Sequence, residues 1–115
     1  QVTDSVQTLS IGDTVFVDVM PEYPGGTQAL YTFLAKNIKY PKTAKKNNVE
    51  GTVYVKFVVD ENGDVKNPVI IRGIGAGCDE EVIRVVKKMP KWKPGEINGI
   101  KIAVYYTIPC KFSLK

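Results

Sequence analysis

The strongest constraint on the fold is a change to period-two alternation in the middle of the chain. Residues 51–60 place an apolar side chain at every second position, which predicts a strand with one buried face. Asn62-Gly63 follows, a pair that tight hairpin turns prefer because both central residues need positive φ. The next run, Val65–Arg72, predicts the returning strand. Its buried face is predicted to carry Val65, Val69 and Ile71.

Helical spacing appears on both sides of this hairpin. Thr27 is a suitable N-cap for a helix that ends before Tyr40-Pro41, and residues 42–47 can add a short second helix. A third helix opens with Asp79-Glu80-Glu81, acidic residues at the positive end of its dipole. The apolar stripes are Leu30, Phe33, Leu34 and Ile38 in the first helix, and Val82, Ile83, Val86 and Met89 in the third.

Proline placement predicts the order of the strands. Alternation resumes over Ile100–Leu114, which predicts one long third strand. Proline has no N–H to give to a ladder and belongs on sheet edges. Pro68 lies in the second strand and Pro109 in the third, so the first strand is central and the order is second, first, third.

The predicted fold class is therefore α+β, a two-layer sandwich with helices on one face of a small antiparallel sheet. Thr14–Met20 alternates as well and predicts an extra N-terminal strand-like segment. Residues 1–13 are expected to form a loose lead-in, and residues 14–115 one domain.

Composition removes the commonest catalytic and metal sites. The chain has no histidine and two cysteines, so it holds no histidine general base, no histidine-ligated zinc and no four-cysteine site. We expect no enzyme activity, no metal and no cofactor. The net charge of +4 comes mostly from scattered lysines, with Arg72 and Arg84 the sole arginines, which argues against nucleic acid as a partner.

Cys78 and Cys110 are predicted to lie toward the same end of the domain, between helix and sheet. Alternation puts Cys110 on the helix-covered face, and Cys78 extends the buried stripe of the third helix back to its start. They are either a disulfide pair or two buried thiols that act as small hydrophobic residues.

Three aromatic residues allow a structural and a functional interpretation. Trp92 closes the end of the core or offers a platform for a ligand. Tyr54 and Tyr105 fall on the face without helices, where they pack across strands or form a docking surface.

Several short segments occur in an order that is characteristic of one family. The chain resembles the C-terminal domain of TonB, in the form common among energy transducers of the Bacteroidetes. The segments are residues 21–26 (PEYPGG), Tyr40-Pro41 with Ala44, residues 51–57 (GTVYVKF), Gly63-Asp64-Val65, residues 81–87 (EVIRVVK), residues 89–95 (MPKWKPG) and residues 106–112 (YTIPCKF).

The resemblance implies a periplasmic module that binds the TonB box, a short extended segment of an outer-membrane transporter. In that family the segment adds as a strand to the edge of the last strand, and an inner-membrane motor driven by proton-motive force pulls through the transducer. The partner-binding edge expected here comprises Ile102, Ala103, Val104, Tyr105, Tyr106, Thr107 and Ile108.

A complete transducer of the family also has an N-terminal membrane helix and a Pro-rich spacer. We expect either that these precede Gln1, which would anchor the protein in the inner membrane, or that the domain is free-standing and secreted. In the second case it would be a periplasmic adaptor or sensor that binds a partner without transmitting energy. The exposed third strand could also pair with itself in a homodimer.

Overall fold

The computed structural model describes residues 17–114. Three helices and five strands follow one another along this part of the chain. The helices are α1 (Thr27–Asn37), α2 (Lys42–Lys46) and α3 (Cys78–Val86). The strands are β1 (Gly51–Val59), β2 (Val65–Arg72), β3 (Gly95–Ile97), β4 (Ile100–Ile102) and β5 (Val104–Phe112).

The main sheet has the predicted order. It is antiparallel, with β1 in the centre, β2 on one side and β5 on the other. The helices cover one face, and the core contains side chains from α1, α2, α3 and the inner face of the sheet. The predicted α+β two-layer sandwich is confirmed.

The helices lie where their apolar spacing predicts them, with differences at their ends. Thr27 is the first helical residue of α1, and the N-cap is Gly26, which makes no side-chain hydrogen bond. In α3 the buried stripe is Cys78, Val82, Val85 and Val86. The helix ends at Val86, so Met89 lies beyond it in a turn that packs against the core.

The predicted phase of β2 is wrong after its first residue. Two register shifts interrupt its pairing with β1, and Asn67 takes a positive φ of 52° at the first shift. An extra residue in one strand reverses which side chains face inward. Ile70 therefore packs against the core, whereas Val69 and Ile71 are more than half exposed, at 54% and 56%.

The third strand is not continuous as predicted. It breaks at Ala103, and the preceding residues form a separate two-stranded hairpin of β3 and β4. The turn is Asn98-Gly99, with φ of 52° and 78°, the positive values that tight hairpins require. This Asn-Gly pair is the same dipeptide that predicted the first hairpin, so the sequence also indicated the second.

The predicted N-terminal strand-like segment is described only in part, because residues 1–16 lie outside the described residues. Within residues 17–22 the chain makes two isolated antiparallel bridges, Val19 to Glu96 and Glu22 to Lys93. This segment therefore lies against β3 and the residues before it.

Trp92 closes one end of the core, as the structural interpretation predicts. It is 3% exposed, and its ring makes edge-on contacts with Tyr23, Phe57 and Tyr106 at centroid distances of 4.9–5.6 Å. Its indole N–H has no hydrogen-bond partner among the described residues, so the contribution of Trp92 to the core is ring packing.

The turn between β1 and β2 docks against the segment that carries Trp92. The Asp60 carboxylate is buried and accepts hydrogen bonds from the N–H groups of Asn62 and Asp64. A hydrogen bond from the Lys66 ammonium holds the pKa of Asp60 below its ordinary value. The Gly63 carbonyl accepts a 2.8 Å hydrogen bond from the backbone N–H of Trp92. The hairpin turn is therefore part of the tertiary structure.

Both cysteines are buried free thiols, so the structure contains no bridge between them. Burial raises the pKa of Cys110 to about 12, and burial with the nearby Asp79 carboxylate raises that of Cys78. Both are therefore poor nucleophiles at neutral pH.

We predict that Gly63→Ala destabilises the domain by about 3 kcal/mol or more, because it combines backbone strain with a collision. Gly63 has a φ of 86°, and an added Cβ would lie 2.1 Å from the Trp92 carbonyl oxygen. Gly99→Ala is the matched control, since Gly99 has a φ of 78° and nothing within 4 Å. It should cost about 1–2 kcal/mol, from strain alone. Urea unfolding measures both, and equal losses would contradict the docking of the turn.

We predict that Cys78 and Cys110 do not react with a thiol reagent in the folded protein and both react after unfolding without reductant. We expect this because both side chains are free thiols that the fold buries, so a reagent reaches them only after unfolding. Titration with a chromogenic disulfide in the presence and absence of denaturant measures this. An unfolded, unreduced protein with no titratable thiol would mean that the bridge forms.

Candidate functional site: the open edge of β5

The free edge of the main sheet on the β5 side is long and regular. All nine residues of β5 pair with β1 in an uninterrupted antiparallel register, from Val104 opposite Val59 to Phe112 opposite Gly51. Among the described residues no strand pairs with the other side of β5. Its outward backbone groups can therefore accept another strand.

Pro109 indicates which backbone groups face this edge. It lies opposite Tyr54 and has no N–H to donate to β1. Backbone groups along a strand point alternately to either side, so Pro109 fits a position directed away from β1. We infer that Tyr105, Thr107 and Lys111, which share its phase, also direct their N–H and C=O groups toward the open edge.

The opposite edge of the sheet is much less suited to strand addition. β2 contains Pro68 and the left-handed Asn67, and its register with β1 shifts twice. Bulges and prolines are devices by which proteins prevent pairing at an exposed edge. β5 has no register shift, and its single proline, Pro109, removes one outward N–H but leaves those of Tyr105 and Thr107 for a partner, so β5 is the edge that the fold leaves available.

A groove of about 620 Å³ runs beside the C-terminal half of β5. One wall comes from α1 and the residues that follow it, and the other from β5 with two residues of β1. An extended segment added to β5 would lie along this groove. The lining residues are Tyr31, Leu34, Ala35, Ile38, Tyr40, Thr52, Tyr54, Pro109, Cys110, Lys111, Phe112 and Ser113.

Aromatic contacts fix β5 from its inner face. The Tyr106 ring lies 4.9 Å from the Trp92 ring, and the Phe112 ring meets Tyr40 edge-on at 5.4 Å. The Tyr40 hydroxyl also donates to the Val49 carbonyl. The Tyr-Pro and Trp-containing segments that carry the family resemblance therefore support the strand from behind. Trp92 does not line the groove, whereas Tyr40 both supports the strand and lines the groove.

The strands of the main sheet carry only positive charge. No Asp or Glu occurs in β1, β2 or β5, whereas Lys56, Lys66, Arg72 and Lys111 do. The Lys56 ammonium lies 4.7 Å above the centre of the Tyr105 ring, a cation–π geometry. An acidic partner would find favourable electrostatics at this sheet.

The predicted binding residues fall into two groups. Val104, Tyr105, Tyr106, Thr107 and Ile108 lie on β5, but Ile102 belongs to β4 and Ala103 to the break between the strands. The side chains also alternate: Val104 and Ile108 are buried, Tyr106 packs inward, and Tyr105 is half exposed.

Sequence reasoning missed the groove. Its β5 wall begins at Pro109, one residue after the predicted edge ends at Ile108. Its other wall combines Leu34 and Ile38, which belong to the predicted apolar stripe, with Tyr31 and Ala35, which are exposed and lie outside that stripe. The length of the alternating run, which extends to Leu114, was the signal that could have extended the edge.

Residues 17–114 lack a metal-binding cluster and a membrane-spanning helix. No cluster of three or more histidine, cysteine or carboxylate side chains in this range could hold a metal ion. No helix in it is both long and apolar enough to cross a membrane.

Comparisons with known proteins agree with the geometry. Protein TonB of Vibrio cholerae serotype O1 is 27% identical over 78 residues, which are 67% of this chain and 32% of that protein. The chain thus spans about a third of this relative's length. Two NMR structures of the Helicobacter pylori TonB C-terminal domain share the fold. The first has a TM-score of 0.54 and 22% identity, and the match covers 76% of this chain and 92% of that structure. The second has a TM-score of 0.56 and 23% identity, and the match covers 80% of this chain and 87% of that structure.

The family model described as the Gram-negative bacterial TonB protein C-terminal matches residues 36–114. This range runs from the end of α1 to the end of the described chain and includes the whole main sheet. The chain belongs to the TonB C-terminal domain family.

Proposed function

We propose that this domain binds an extended segment of an outer-membrane transporter, the TonB box, by adding it as a strand to the free edge of β5. It thereby couples the proton-motive force of the inner membrane to active import. The domain acts in the periplasm, and the inner-membrane motor reaches it through regions that precede this part of the protein. Its role is mechanical and not enzymatic.

The observation that carries the proposal is the contrast between the two sheet edges. β5 offers nine residues in unbroken register, whereas β2 is interrupted by two register shifts. In β-augmentation, main-chain hydrogen bonds supply the affinity and the alternate side chains of the ligand supply the selectivity. The unbroken edge of β5 supports the first, and the groove beside residues 109–112 supports the second.

Alternate side chains of the bound segment would meet different surroundings. Those directed to one face would enter the groove beside Leu34 and Ala35, and those directed to the other would lie beside Tyr105 and Thr107. A segment with small or apolar residues toward the groove fits this arrangement. Because one strand buries little area, we expect affinity in the micromolar range, on the order of −8 kcal/mol.

We predict that Thr107→Pro weakens binding of a synthetic TonB-box peptide about tenfold or more, since it removes an outward N–H and places a ring at the edge. The peptide is the N-terminal extended segment of a TonB-dependent transporter encoded in the same genome. Thr107→Val, which keeps the N–H and the branched shape, is the matched control and should bind within about twofold of the wild type. Isothermal titration calorimetry measures both.

Thermal unfolding provides the check on folding. The Thr107 N–H is directed away from β1, so Thr107→Pro should leave the ladder to β1 intact. Peptide binding by a folded Thr107→Pro variant with unchanged affinity would overturn strand addition at β5.

A further inference from the structure

The face of the main sheet that carries no helices exposes apolar side chains. Tyr54 is 37% exposed, Tyr105 50%, and Val69, which lies opposite Lys56 in the ladder, 54%. These residues come from all three strands. A cluster of large exposed apolar side chains on a rigid sheet is typical of a contact surface.

The bulge in β2 is a second and independent indication that this face is a contact surface. Regular alternation from Val65 would bury Val69, and the extra residue at the left-handed Asn67 turns it instead to the helix-free face, opposite Lys56. Bulges re-aim side chains and are common next to functional sites. The fold therefore presents on this face a branched apolar residue, Val69, that it could have buried.

The charge on this face is of one sign. Lys66 is neutralised by the buried Asp60 at 3.0 Å, but no carboxylate of the described residues lies within ion-pair distance of Lys56, Arg72 or Lys111. A second copy of the chain placed face to face would bring these cations together. The charge thus favours an acidic partner over self-association.

Arg72 is central to this surface. The other arginine, Arg84, makes two hydrogen bonds to Glu81, at 2.6 Å and 2.9 Å. Arg72 has no such carboxylate among residues 17–114 and lies directly opposite Tyr54 in the ladder. Tyr and Arg are the residue types that dominate binding energy at protein interfaces. Tyr54 also lines the groove beside β5, so the two surfaces are continuous.

We propose that the helix-free face of the sheet, centred on Tyr54 and Arg72, is a second contact surface that binds an acidic, partly apolar surface on the folded part of the transporter. This inference rests on the proposed function, since the transporter's extended segment on β5 brings its folded part next to this face. Strand addition would then supply capture, and the face would supply selectivity for the folded partner.

The test uses two probes, the TonB-box peptide and the same transporter purified whole in detergent. Arg72→Glu and Val69→Ser alter β2, which lies two strands away from the β5 edge. We expect either variant to weaken binding of the whole transporter about tenfold, while peptide affinity stays within about twofold. Lys88→Glu, an exposed position after α3, is the charge-matched control for Arg72→Glu and should change neither affinity.

Each other outcome has a definite meaning. Unchanged transporter affinity in both variants overturns this inference and leaves strand addition standing, whereas a wild-type protein that binds neither probe overturns both proposals. Equal weakening of peptide and transporter binding overturns the inference of a second surface, because it shows that the face is part of the peptide site. Two results with unchanged transporter affinity would overturn the inference. If the variants no longer bind phosphatidylglycerol vesicles that the wild type binds, the face contacts a membrane. If they no longer form a dimer that the wild type forms in sedimentation, the face contacts a second copy.

Discussion

The structure depends on the nine-residue antiparallel ladder between β1 and β5. It joins segments about 50 residues apart in the chain, and every inward side chain of both strands contributes to the core, as Val55 opposite Ile108 illustrates. Because β1 is central, its position fixes both edges of the sheet. The register of this ladder also determines which backbone groups of β5 are left for a partner.

The two edges show how the same sheet is closed on one side and open on the other. Asn67 and Pro68 disrupt β2, while Pro109 lies on β5 at a position that costs the β1 ladder nothing. Aromatic packing then holds β5 rigid from behind, through the contacts of Tyr106 with Trp92. A rigid, pre-ordered edge lowers the entropy that strand addition must overcome.

Sequence patterns predicted the elements that depend on local periodicity. The prediction was wrong where one extra residue changes which side chains of a strand face the core. Alternation located β1, and proline placement ordered the sheet, but the bulge at Asn67 inverted the expected faces of β2. Proline placement also identified the strand of the candidate site, β5, as an edge of the sheet. Its groove depends on how α1 lies beside β5, a tertiary relation that no spacing within either element encodes. The Asn98-Gly99 turn was readable and shortened the predicted strand.

Amide hydrogen exchange by NMR, with and without the bound TonB-box peptide, tests strand addition at β5 most directly. The account predicts that peptide binding slows exchange at Tyr105, Thr107 and Lys111, whose N–H groups face the open edge. Tyr106 and Ile108, already bonded to β1, should change little. Protection that appears on β2 instead, or equally on both sets of β5 amides, would contradict the account.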